Sequence, residues 1–92
     1  MDIKITKEDN KTFVVIEGRI DTTTVNQFQE AANELMGDEH PDIDIDCSAL
    51  SYTSSQGLRT FLMLQKSVMK HGGKMVVRNM NPQVKEVFDI TG

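Results

Sequence analysis

Alternation and helical recurrence of apolar positions divide the chain into short elements. Ile3 and Ile5 alternate with polar neighbours, as on a strand with one apolar face. Glu8-Asp9-Asn10-Lys11 has turn chemistry, and the β-rich run Phe13-Val14-Val15-Ile16 follows so closely that the two strands are expected to pair as a hairpin, with Gly18 ending the second. Asp21-Thr22-Thr23-Thr24 reads as a helix start. Thr24 and Gln27 have capping-box spacing, and Asp21 is the alternative cap. Val25, Phe28, Ala32, Leu35 and Met36 recur on one helical face, and Gly37 supplies the stop.

Ile43, Ile45 and Cys47 then alternate with Asp42, Asp44 and Asp46, which predicts a strand with one apolar and one acidic face. A strand covered on both faces would read as a continuous apolar run. Here the sheet is expected to be covered on one side, although the runs Phe13–Ile16 and Met75–Val77 point to cover on both. Leu58, Phe61, Leu62, Leu64, Val68 and Met69 mark a second helix, starting near Gln56 and ending at Gly72-Gly73, with Arg59, Lys66 and Lys70 facing water. Lys74 to Arg78 is a fourth strand. Asn81 caps a third helix with Pro82 at its first position, and Val84, Val87 and Phe88 give it an apolar side. The order β-β-α-β-α-β-α predicts an α/β domain: a four-stranded mixed sheet, an N-terminal hairpin followed by parallel β-α crossovers, packed against three helices.

Composition narrows the function more than the fold. Ninety-two residues with 38% hydrophobic content make one small domain with one modest core. A formal charge of −4, with no basic cluster denser than Arg59 to Lys70, argues against a nucleic-acid partner. No apolar run reaches the ~18 residues of a membrane span, and the N-terminus does not resemble a signal peptide, so no membrane insertion is expected. A single cysteine cannot form an internal disulfide, which fits a reducing cytoplasm.

The candidate chemistries are few. Asp44 and Asp46 could hold Mg²⁺, with Asp46 as a receiver-type phosphoacceptor. Such a site wants acidic partners near the end of the first strand, and Ile3-Lys4-Ile5-Thr6 has none, so a solvated strand face is the simpler reading. Cys47 ends an apolar strand face, where a free cysteine packs as a small hydrophobe. His40 and His71 fall in expected loops, and no Cys-His or Ser-His-Asp arrangement accompanies them. No cofactor, metal site or catalytic residue is expected. The row Thr53-Ser54-Ser55 at the mouth of the second helix is different. One hydroxyl there caps the helix for ~1 kcal/mol. Three in a row leave room for a modification site as well, although on capping alone the structural role stands ahead.

Taken together these segments resemble the STAS domains of bacterial anti-sigma factor antagonists. Gly18-Arg19-Ile20-Asp21-Thr22-Thr23-Thr24 is similar to the family's Gly-x-hydrophobic-Asp-x-x-Thr loop. Asp46 falls where the third strand carries Asp or Asn. Ser54-Ser55-Gln56-Gly57-Leu58-Arg59 resembles the switch motif, and Gly72-Gly73, Met75-Val76-Val77 and Asn81 to Gly92 resemble the C-terminal half. Two positions differ from the usual pattern: Ser54, where Asp often precedes the acceptor, and Gln56, where Ser, Thr or Ala is usual. The resemblance covers nearly the whole chain and implies a single STAS domain over 1–92, without the further short strand and helix with which the family usually continues.

It also implies a regulator rather than an enzyme. Such a domain binds an anti-sigma factor that is also a serine kinase and so frees a sigma factor. Phosphorylation of one serine ends binding, and a serine phosphatase restores it. By this resemblance the acceptor is Ser55, and the partner surface draws on Asp21, Thr24, Asp46, Ser54, Gln56, Gly57 and Arg59. The alternative within the family is a subunit that is never phosphorylated, in a larger assembly such as a lipid-transport complex.

Overall fold

The computed structural model describes residues 1–37 and 39–91. Gly92, the last residue of the stretch that resembles the family's C-terminal half, lies outside them. Asp9, with φ of 54°, allows the tight turn that joins β1 (Asp2–Glu8) to β2 (Lys11–Ile20), with Glu8 opposite Lys11 in an antiparallel ladder. The chain continues through α1 (Val25–Leu35), β3 (Asp42–Asp46), β4 (Leu50–Thr53), α2 (Ser55–Lys70), β5 (Lys74–Arg78) and α3 (Pro82–Thr91). After the hairpin every pairing is parallel, giving the order β1-β2-β3-β5 with β4 also on β2.

The expected α/β architecture is therefore present, with two corrections. Among the described residues the sheet has five strands, not four: Leu50–Thr53, within the stretch dominated by hydroxyl side chains, is itself a strand. Gly18 does not end β2. It sits at a register shift with φ of +100°, and the strand runs on to Ile20, where it pairs with β4. Since Val15 lies opposite Asp46 and Gly18 opposite Leu50, β4 continues the line of β3 along the same neighbour.

Both indications about sheet cover are explained by alternation. Val14, Ile16, Ile20, Ile43 and Ile45 point inward and are buried, against Val25, Phe28, Ala32 and Leu35 of α1 and Phe61, Leu64 and Val68 of α2. Burying each of the larger side chains among these contributes about 1.5–3 kcal/mol. Phe61 links the helices, its ring 4.7 Å from Phe28 and 5.2 Å from Phe88 between centroids. The opposite face stays open. Phe13 and Val15 are half-buried there, Val76 is 50% exposed, and Arg78 Nε donates to Asp44 Oδ1 at 2.6 Å across β3 and β5.

Candidate functional site

The mouth of α2 separates the hydroxyls that sequence left together. Thr53 is buried. Ser54 has extended backbone (φ −79°, ψ 169°), and its Oγ accepts from the Gly57 amide at 3.1 Å, so it is the N-cap. Its own amide donates to the Ile20 carbonyl at 2.8 Å, tying the helix start to the end of β2. That leaves Ser55, the first residue of α2, with an exposed side chain, in a first turn that carries no acidic residue. Gln56 and Arg59 are exposed on the same helix.

Gly57 is buried, so it cannot offer a side surface to a partner. A Cβ there would lie 2.6 Å from Ile20 Cγ2 and closer still to Thr53 Oγ1. Only glycine lets the first turn of α2 press onto the ends of β2 and β4. Its role is to position Ser54 and Ser55.

Asp21 is brought beside them by the sheet. Ile20 and Thr53 are partners in the parallel ladder, so the next residues, Asp21 and Ser54, leave the sheet side by side. Asp21 Oδ1 accepts from the Thr23 hydroxyl at 2.6 Å and the Thr23 amide at 2.9 Å, and these bonds, helped by Thr24 and Arg19, hold its carboxyl below the usual range. Thr24 Oγ1 accepts from the Asp21 amide at 2.9 Å and donates to the Arg19 carbonyl at 2.7 Å. With its hydroxyl so used, Thr24 makes no side-chain cap bond. Gln27 Nε2 reaches instead to the Met1 carbonyl at 3.2 Å, so the expected capping box is not formed. The Asp21 carbonyl accepts from the Val25 amide at 2.8 Å, which makes Asp21 the pivot of the turn into α1.

Asp46 is not part of this cluster. It lies opposite Val15, six β2 residues short of Asp21, or about 20 Å at strand rise. Its Oδ1 accepts from the Ser48 amide at 2.9 Å and from Asn79 Nδ2 at 3.1 Å, which hold its carboxyl low and fix the turn between β3 and β4. Asn81 does similar work nearby: its Oδ1 caps α3 by accepting from Val84, and its Nδ2 donates to the Leu50 carbonyl at 3.0 Å.

Two residues outside the expected set border the Asp21 turn. The Arg19 guanidinium lies 4.5 Å from the centroid of the Tyr52 ring and 3.7 Å from Asp21 Oδ2. Arg19 belongs to a stretch singled out in the sequence and Tyr52 borders another, but their contact spans 33 positions and depends on β4, which periodicity did not reveal. The other candidate chemistries do not assemble. Among the described residues no three His, Cys, Asp or Glu side chains could hold a metal. Cys47 is fully buried, and burial pushes its thiol up to about 12, leaving it protonated at physiological pH. No helix of the described residues is long and apolar enough to cross a membrane.

Comparison with known proteins gives a consistent picture. The family model described as STAS domain matches residues 2–92. The anti-sigma-B factor antagonist of Bacillus subtilis is 29% identical over 92 residues, covering 100% of this chain and 84% of the relative. The unphosphorylated anti-sigma factor antagonist SpoIIAA superposes with a TM-score of 0.78 at 16% identity, covering 97% of this chain and 83% of its own. The phosphorylated form of SpoIIAA, a cell fate determinant of Bacillus, also gives 0.78, at 18% identity, covering 99% and 84%.

Proposed function

This chain belongs to the STAS domain family, and from that membership we propose that it is an anti-sigma factor antagonist switched by phosphorylation of Ser55. It binds an anti-sigma factor that is also a serine kinase and so releases a sigma factor in the cytoplasm. The kinase modifies Ser55, binding ends, and a serine phosphatase resets the cycle. The single observation that carries this reading is the division of labour at α2: Ser54, which leaves the sheet beside Asp21, is committed to the cap, while the next residue, Ser55, keeps its side chain exposed. The name of the B. subtilis relative supports the class of partner.

The magnitudes favour blocking over refolding. A phosphate on Ser55 adds roughly −1.5 to −2 charges at a helix N-terminus, whose dipole and free amides favour an anion by about 0.3–1 kcal/mol. Arg59, one turn on, is available to pair with it. The domain therefore keeps its fold, in line with SpoIIAA, whose unphosphorylated and phosphorylated forms match this chain equally well. A docked partner suffers far more, because taking the phosphate and its counter-charge out of water at the interface costs several kcal/mol per ion, and ~4 kcal/mol is about a thousandfold in affinity.

The test is to incubate the protein with the anti-sigma factor kinase and ATP and map the product by mass spectrometry. Acid-stable phosphate on Ser55 is the expected result. Phosphate confined to Ser51, Thr53 or Ser54 would refute the assignment, and acid-labile phosphate on Asp46 would point to receiver chemistry instead.

A further inference from the structure

We infer that the exposed face of α2, from Ser55 through Arg59, Met63 and Lys66 to Lys70, is a docking strip for an acidic surface of the partner, with the switch at Ser55 at its N-terminal end. The inference rests on the reading of Ser55 given above and extends it by about four helical turns.

At about 100° per residue these five side chains fall within roughly 80° of arc, and at 1.5 Å per residue they span about 22 Å. All five are exposed, Met63 at 61%. Charge is distributed unevenly to match. The chain carries 14 acidic residues and a net charge of −4, yet α2 has Arg59, Lys66 and Lys70 and no acidic residue at all. The open sheet face differs, since there Arg78 is neutralised by Asp44 at 2.6 Å. On α2 the single-sign strip therefore stands out from an acidic molecule, and its complement is an acidic patch.

A polyanion such as nucleic acid or a lipid surface fits less well. Three charges on a molecule of net −4 give little attraction to an extended anionic surface, and the strip has an apolar centre. Met63 borders a cavity of about 230 Å³ between α1 and α2, lined also by Gln29, Ala32, Asn33, Met36 and Thr60. Its lining is mixed, Ala32, Met36 and Met63 beside Gln29, Asn33 and Thr60, and suits a protein side chain better than a run of phosphates. A phosphate on Ser55 stands one turn from Arg59 and lowers the positive charge at that end of the strip.

The test is the affinity of the purified anti-sigma factor kinase for the whole chain, unphosphorylated, at 50 and 300 mM salt. Lys66→Glu with Lys70→Glu, both far along the helix from the hydroxyls, is expected to weaken binding at least tenfold at low salt, or about 1.4 kcal/mol. Lys66→Arg with Lys70→Arg should bind as the wild type does, and the difference between variants should shrink at high salt. Lys66→Gln with Lys70→Gln, which avoids new repulsion on the helix, should fall between them. Wild-type affinity in the Glu and Gln variants would overturn the strip while leaving the Ser55 switch intact. Failure of the wild-type chain to bind the kinase at all would overturn both. Self-association of the chain that the Glu variant abolishes would assign the strip to a second copy and overturn the inference.

Discussion

Adjacent serines with separate tasks should respond oppositely to the same substitution. Ser54→Ala removes the bond from Ser54 Oγ to the Gly57 amide, 3.1 Å long and part-buried. Loss of a serine cap costs about 1 kcal/mol, within a range of 0.5–2. For a domain of this size that is a fall in Tm of about 4–8 °C. Ser54→Asp should restore most of it, because Asp caps as well as Ser. Ser55→Ala deletes an exposed hydroxyl and adds a better helix former, so its Tm should stay within about 2 °C of wild type or rise. Phosphotransfer should vanish in Ser55→Ala and persist in Ser54→Asp. Calorimetric melts of the four proteins at one pH, paired with phosphotransfer assays, read both tasks. If Ser55→Ala melts well below Ser54→Ala, or if Ser54→Ala melts like wild type, the separation of cap from switch is wrong.

Two further outcomes follow from the same geometry. Gly57→Ala should lose about 1–3 kcal/mol in urea denaturation despite Ala's better helix propensity, because the new methyl meets Ile20 at 2.6 Å and both Ile20 and Thr53 are buried, stiff at χ1 and unable to swing away. Stability equal to wild type would refute the close packing of α2 on the strand ends. The carboxyls of Asp21 and Asp46 are held low by hydrogen bonds in the fold, so the unfolded chain binds protons first as pH falls. Their contribution is therefore complete above the unfolded carboxyl value, about pH 4, and is lost as pH drops through the lower folded values. Melts between pH 7 and pH 3 should show this acid loss, less steeply in Asp46→Asn; an unchanged slope in that variant would contradict the role given to Ser48 and Asn79.

The fold was legible wherever periodicity ran long enough to be seen. Both amphipathic helices around Phe28 and Phe61, the hairpin and the acid-apolar alternation of β3 announce themselves. The strand Leu50–Thr53 did not, because four residues, three with hydroxyls, show too little alternation to distinguish a strand from a loop. Gly18 looked like a terminator because a glycine before a turn usually is one; here its positive φ carries a register shift and the strand continues. The site followed the same division. Ser54, Ser55 and Asp21 are near one another because β2 and β4 are neighbours, a contact across 33 positions that the family pattern implied and local reasoning could not. Thr24 and Gln27 had capping-box spacing without forming the box, since spacing does not reveal that the Asp21 amide, rather than an amide of the first helical turn, donates to the Thr24 hydroxyl. Gly57 was grouped with partner-facing residues because it sits inside the motif, and only packing shows that it is buried.

The dissociation constant of the anti-sigma factor kinase for this chain, measured before and after phosphorylation of Ser55 alone, tests the switch most directly. About a thousandfold weakening, with circular dichroism and Tm of the isolated domain nearly unchanged, is the predicted result. Equal affinity of the two forms, or loss of binding that comes with a melted domain, would contradict it.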